Sequence, residues 1–302
     1  MRKSFIDALL AYSDSPDFCV LAGDLGWGVL EPFQERLGSR FINAGIAEQN
    51  MLSVVAGLAE SGMRPFVYSI SPFIYARAFE QIRNDICLQD LPVCMIASGA
   101  GYGYGDSGPT HHAIEDCGVI STLQNIRVYI PSFASDMKDI AARMVETHHP
   151  VYMRLGRDES NPDDDYERPA FSAYRRLKPG ASGVVLVIGN MAGSVMSFCP
   201  DDFAVWTCGL LPVVREDVPD ELFRDIRETS TLVVIEDHVA AGGLCGQFCS
   251  CMLEEGISPE RFARFCAQGY GGGLYGSQKY YREHNCLSVS AILARLSEFR
   301  RR

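Results

Sequence analysis

The chain has 302 residues, of which 47% are hydrophobic and 22% charged, and its formal net charge is −11. That is enough apolar material for two domains of ordinary size, each with its own core, and the acid excess, with basic residues gathered only in pairs such as Arg175-Arg176 and Arg300-Arg301, excludes a nucleic acid partner. No apolar run is long enough to span a bilayer, and the eleven scattered cysteines behind a Met1-Arg2-Lys3 start without secretory character fit reduced thiols in a cytoplasmic protein.

Short β-rich runs alternate with helical ones along the first half. FCVLA (18–22), RPFVYSI (64–70), PVCMIAS (92–98), IRVYI (126–130) and VYMRL (151–155) read as buried strands, with helices expected over 46–61, 73–89, 112–123 and 134–147. That alternation predicts an α/β fold with a parallel sheet. Residues 158–180 then break the pattern with acidic residues, prolines and no periodicity. We therefore expect a first domain over 1–160, a linker over 161–180 and a second, smaller α/β domain over 181–302. Strands at 184–190, 203–208 and 231–237 begin the second domain, and the helix AILARLSEFRR closes the chain.

Four stretches of the first domain lie at or just beyond strand ends, where open α/β sheets hold their ligands. GDLGWG (23–28) sets Asp24 in a glycine-rich turn. NAGIAEQN (43–50) sets Glu48 at a helix entry, where a glutamate at the third helical position could simply cap the helix. SISPFIYARAFEQIR (69–83) brings Phe73, Tyr75 and Phe79 around a helix start, and at least one of them is expected in the core. GAGYGYGDSGPTHHAIED (99–116) is too rich in glycine to bury much apolar area, so its backbone must approach something closely. Of its two histidines, at least one suits acid–base or hydroxyl-binding work better than metal ligation. Cys245, Cys249 and Cys251 fit no common zinc spacing and read as packing residues. His148-His149, before Pro150, reads as the polar end of a helix.

In this order, GD, NAGIAEQNM, SPF…RAFEQIR, GPTHHAIED, IPSFASD and PVYMRLGR resemble the pyrimidine-binding half of transketolase, and VVIEDHVAAGGLCGQF resembles that family's C-terminal domain. The resemblance covers nearly the whole chain. It implies a pyrimidine-binding domain followed by a transketolase C-terminal domain, and it assigns Glu48 to N1′ of the aminopyrimidine of thiamine diphosphate, which prepares that cofactor as a carbon nucleophile. A carboxyl group in a water-poor interface can share a proton with a ring nitrogen, which an exposed cap cannot do. Phe73 becomes the expected face for the pyrimidine, with Tyr75 and Phe79 as alternatives, and Asp24 matches an acidic residue near the cofactor. His111 matches a catalytic histidine that contacts substrate hydroxyls or the covalent intermediate, Arg157 a phosphate-binding arginine, and Arg2 another near the start of the domain.

The departures from the family pattern are informative. Ser107 stands where an aspartate reads a substrate hydroxyl, with Asp106 beside it, and Gly28 and Gly99 stand near positions where a serine and a histidine assist phosphate binding. These changes suggest an unusual acceptor sugar, such as one carried on a nucleotide. The family's metal motif, GDG followed by an asparagine-containing run, is missing from these residues, so the diphosphate and its Mg²⁺ or Ca²⁺ are expected on a partner. The chain is thus expected to be the small subunit of a split transketolase, active with an N-terminal diphosphate-binding subunit, two copies of each. Such an enzyme moves a two-carbon ketol unit from a ketose to an aldehyde. The β subunit of a 2-oxoacid dehydrogenase and a non-catalytic assembly subunit are the alternatives; the GPTHH turn with Arg157 favours sugar chemistry over the first, and the joint presence of Glu48, His111 and Asp24 counts against the second.

Overall fold

The computed structural model describes residues 1–161, 166–271, 273 and 275–300. Residues 162–165 of the expected linker, and 272, 274, 301 and 302 of the expected second domain, lie outside the described residues.

The strands in chain order are β1 (Phe18–Ala22), β2 (Phe41–Asn43), β3 (Arg64–Ile70), β4 (Cys94–Ser98), β5 (Arg127–Tyr129), β6 (Val151–Leu155), β7 (Tyr174–Lys178), β8 (Gly183–Ile188), β9 (Phe203–Cys208), β10 (Leu210–Leu211), β11 (Thr231–Val239) and β12 (Arg261–Ala267). They form two sheets, ordered β10-β5-β6-β4-β3-β1-β2 and β12-β11-β8-β9-β7. All pairs are parallel except β10 with β5 and β7 with β9. The core strands are predominantly apolar because both faces are covered, as parallel sheets require: β1, β4, β6, β8 and β9 are buried at every position.

Helices α1 (Arg2–Leu10), α2 (Glu31–Leu37), α3 (Glu48–Glu60), α4 (Ser71–Tyr75), α5 (Phe79–Gln81), α6 (Asp116–Ile120) and α7 (Met137–Glu146) flank the first sheet. The second carries α8 (Ala192–Phe198), α9 (Asp220–Thr229), α10 (Leu244–Glu254), α11 (Gln278–His284) and α12 (Val289–Arg300). Among the described residues no helix is long and apolar enough to cross a membrane.

Three elements differ from the sequence expectation. The helix expected over 73–89 is broken: α4 ends at Tyr75, Ala76–Ala78 turn, and α5 runs into π-helical Ile82–Cys87. That break turns the Arg77 guanidinium toward Glu48, at a place where irregular helix often marks a functional site. The helix expected over 112–123 shrinks to α6, because Ala113 instead exchanges backbone hydrogen bonds with Gly101, at 2.8 and 3.0 Å. Inside the expected linker 161–180, residues Tyr174–Lys178 form β7 on the edge of the second sheet. Their charge hides the strand: the buried Arg175 pairs with the buried Asp136 at 2.7 Å, and Arg176 reaches Glu221 at 2.9 Å.

The two sheets share one apolar core, which runs from Met51 and Val67 to Val184 and Leu232. A second core, with Phe5, Phe18 and Met153, fills the other face of the first sheet. Chain crossing ties the domains further. After β9 the chain passes Gly209, whose amide donates to Ala173 at 2.8 Å and whose carbonyl accepts from Ile130 at 2.8 Å, and β10 then pairs with β5 of the first sheet. The fully buried Arg154 of β6 donates to Asp116 at 2.9 Å and, across the seam, to Asp237 and Asn190 at 2.8 and 2.7 Å.

Candidate active site

The register Ala22–Tyr68 and Ile70–Ser98–Leu155 aligns the C-terminal ends of β1, β3, β4 and β6 along one edge. Strand order reverses between β1 and β3, the position where such sheets open a crevice. Glu48 opens α3 at that point and is only 1% exposed. It is the first helical residue rather than the third. The N-cap is Ala47, without a side-chain cap, and the Glu48 carboxylate turns instead to the Ser69 hydroxyl at 3.4 Å and to a short bond from Arg77. Gly23 leaves space beside it, since a Cβ there would stand 3.2 Å from Glu48 Oε1.

The Arg77 guanidinium also lies over the Phe73 ring, 4.4 Å from its centroid, while its side chain stays 40% exposed. His111 meets the same ring edge-on at 5.2 Å, and its Nδ1 lies 2.9 Å from the Thr110 hydroxyl. Burial lowers the His111 pKa, which favours the neutral imidazole. Tyr104 follows at 6.3 Å from His111, and its hydroxyl meets Ser98 at 3.0 Å and Arg2 at 3.5 Å. Arg2, Tyr104, Gly99, Gly156 and Arg157 line one recess. The structure thus assembles a strip that runs from Glu48 through Phe73 and His111 to two arginines.

The remaining expected residues sit around this strip. Tyr75 is buried and donates to Glu115 at 3.0 Å; burial and that carboxylate push its phenol far above the usual range. Its bond braces α4 against the glycine loop. Phe79 is half-buried at the start of α5. Asp24, at φ +52°, accepts from Asn43 at 2.9 Å and lines a separate recess with Trp27 and Glu31. Asp106 and Ser107 are exposed on a single 3₁₀ turn before Gly108.

The glycine-rich loop does approach something closely, but the structure identifies much of it as protein. A Cβ on Gly99 would collide with the Tyr104 ring, one on Gly101 with the Asp237 carboxylate, and one on Gly108 with the Tyr275 ring. At Gly105 it would stand 2.5 Å from the Gly276 carbonyl. His112 belongs to the same seam: it is buried among Tyr102, Tyr270 and Tyr281, and neither ring nitrogen has a hydrogen-bond partner among the described residues.

The family pattern "Transketolase, pyrimidine binding domain" matches residues 1–162. The chain belongs to the transketolase family. It resembles the small (B) subunits of split members: it is 30% identical to the small subunit of the apulose-4-phosphate transketolase of Phocaeicola vulgatus, over 80% of both chains. It is also 27% identical to the corresponding protein of Actinobacillus succinogenes, over 91% of this chain and 89% of the relative. A solved structure described as "Split gene transketolase, inactive beta4 tetramer" superposes with a TM-score of 0.83 at 27% identity, covering 99% of this chain and 98% of the other.

Within this transketolase frame, sequence reasoning missed Arg77, Ser69 and Tyr104. Arg77 lies inside the run SISPFIYARAFEQIR, and its one signal there is a cation among aromatics, which on a regular helix would point to solvent. Tyr104 is visible only as one of two tyrosines in the glycine loop.

Proposed function

We propose that this chain is the small subunit of a two-chain, thiamine-diphosphate-dependent transketolase that moves a two-carbon ketol unit from a ketose to an aldehyde. The observation that carries the reading is Arg77: a planar, nitrogen-rich cation lies on the face of Phe73 and donates to the buried Glu48. The two surfaces that a proton-sharing nitrogen heterocycle needs therefore already hold a group of that kind. The residues fit an aminopyrimidine, with Phe73 for its face, Glu48 for N1′ and Gly23 leaving room beside the carboxylate. When bound, the cofactor would supply the carbon nucleophile that accepts and passes on the two-carbon unit.

This chain's residues do the rest. Arg77, long and partly exposed, swings away from Phe73 and leaves Glu48 to hold the proton at N1′ in a site with little water. Neutral His111 offers ring nitrogens to sugar hydroxyls. Arg2, Arg157 and Tyr104 bind the anionic tail of the sugar, as a fork of guanidinium donors does for phosphate. The ketose becomes an aldose two carbons shorter, and the aldehyde becomes a ketose two carbons longer. The relatives named for apulose-4-phosphate support a sugar phosphate as the substrate class.

We assign the diphosphate and its Mg²⁺ or Ca²⁺ to a partner that carries the family's GDG and asparagine motif. Trp27 and Ile46, 80% and 79% exposed beside Asp24 and Glu48, suit the surface that such a partner covers. The inactive β4 assembly described for the solved relative supports the same need. The test is reconstitution: ketol transfer should appear only when this chain, the diphosphate-binding chain and thiamine diphosphate are combined. Full turnover by the partner alone overturns the reading.

A further inference from the structure

We propose that the second domain completes the substrate end of the site, with Tyr275 as a residue that sets which aldehydes are accepted; this rests on the transferase reading above. Three contacts bring the second domain there. The Tyr102 hydroxyl donates to the Gly269 carbonyl at 2.5 Å, and the Gly276 carbonyl lies where a side chain at Gly105 would begin. Tyr270 donates a short bond to one oxygen of Glu115, whose other oxygen accepts from Tyr75 of α4 at 3.0 Å. That carboxylate therefore joins the second domain to the helix that carries Phe73.

Tyr275 is the part of this seam left open. Its ring lies against Gly108, which has φ +77° and whose carbonyl accepts the His111 amide at 2.9 Å. Asp106 and Ser107 precede Gly108 directly and the turn of His111 follows it, so Tyr275 abuts the junction between the two turns that carry the expected hydroxyl-reading residues. The chain that follows it is held: the Ser277 hydroxyl caps α11 by accepting from the Tyr280 amide at 3.2 Å, and Tyr281 stacks on Tyr102 at 5.2 Å. Yet the Tyr275 side chain is 68% exposed. An aromatic held in place but uncovered offers a flat face to the C–H face of a sugar and a hydroxyl to its distal oxygens. Because it touches Gly108, three residues before His111, longer substrates are the ones that would reach it.

The experiment uses the reconstituted two-chain enzyme and compares kcat/KM for a five-carbon aldose with that for glycolaldehyde, the two-carbon aldehyde. In Tyr275→Ala the ratio of the two should fall about tenfold, with partial recovery in Tyr275→Phe, because discrimination lies in the ratio rather than in either rate alone. Tyr275→Trp gives a readout without turnover: the added indole emission should change on addition of the five-carbon aldose, measured against the parent. An unchanged ratio together with an unchanged Tyr275→Trp signal, in an enzyme whose parent transfers ketol units, overturns this inference alone. Absence of cofactor-dependent transfer in the parent overturns both it and the reading beneath it.

Discussion

Glu48→Gln separates two roles that a buried carboxylate can play. Glutamine keeps the shape and can still accept from Ser69, so the substitution removes only the negative charge that faces Arg77. With the guanidinium 40% exposed, that pair contributes about 1 kcal/mol or less. Removing a carboxylate from a site where it is 1% exposed also relieves a desolvation cost of opposite sign. Net stability should therefore change by no more than about 1 kcal/mol. A residue that holds the proton at the cofactor ring would lose roughly 10²–10⁴ in rate, about 3–5 kcal/mol on the barrier. Ketol transfer by the reconstituted enzyme at saturating thiamine diphosphate, alongside thermal melting of the variant, measures both. A rate within about threefold of the parent, a change of less than about 1 kcal/mol on the barrier, would refute the assignment, and so would a rate loss that simply follows a large loss of stability.

Three further predictions concern the recess and the seam. Arg157→Ala should raise KM for a phosphorylated acceptor about 10–100-fold, the equivalent of about one hydrogen bond to a charged group, with a smaller effect on the unphosphorylated aldehyde; steady-state kinetics with matched acceptors checks this. Arg154→Met should destabilise the chain by about 3–5 kcal/mol, because Asp116 is left buried without its cation and Asp237 keeps only Arg282, at 3.3 Å; urea unfolding measures it. Glu236 is raised to about 7, chiefly by burial, even though it accepts the Leu244 and Cys245 amides at 2.7 and 3.1 Å. A carboxyl group raised in the folded state holds its proton more tightly than in the unfolded chain, so this contribution is full below the unfolded value of about 4.5 and is lost as pH rises towards 7. Glu236→Gln should flatten the fall in unfolding free energy across that window, measured by urea unfolding at stepped pH.

The buried parallel strands were the most legible part of the chain. β1, β3, β6 and β9 match the expected runs at both ends, because a strand covered on both faces is predominantly apolar along its length. Elements whose character depends on distant partners were not legible. β7 looks like linker because Arg175 is neutralised by Asp136, 39 residues away in sequence, and the 73–89 run looks like one helix because nothing local announces the turn at Ala76–Ala78. The glycine loop was recognised for its close approach, yet proximity to a ligand and to a neighbouring domain leave the same composition. Glu48 could be singled out; that its neighbour would be Arg77 could not, since the pairing depends on an irregular helix.

The passage of the chain through Gly209 also constrains how the protein comes into being. Leu210 pairs with Tyr129, and Leu211 with Val128, across some eighty residues of sequence, so the outer edge of the first sheet stays bare until β7, β8 and β9 of the second have been made and β10 can follow them. A ribosome that has finished the first domain has finished no independent unit; it has exposed a β5 paired with β6 on one side only, and an Arg154 still lacking Asp237 and Asn190. Contacts of such long range slow folding, and an open strand edge invites pairing with other chains. A gene fragment that stops near residue 180 should therefore yield aggregate rather than a smaller working domain, and any swap of the second domain between relatives must carry β10 along with it.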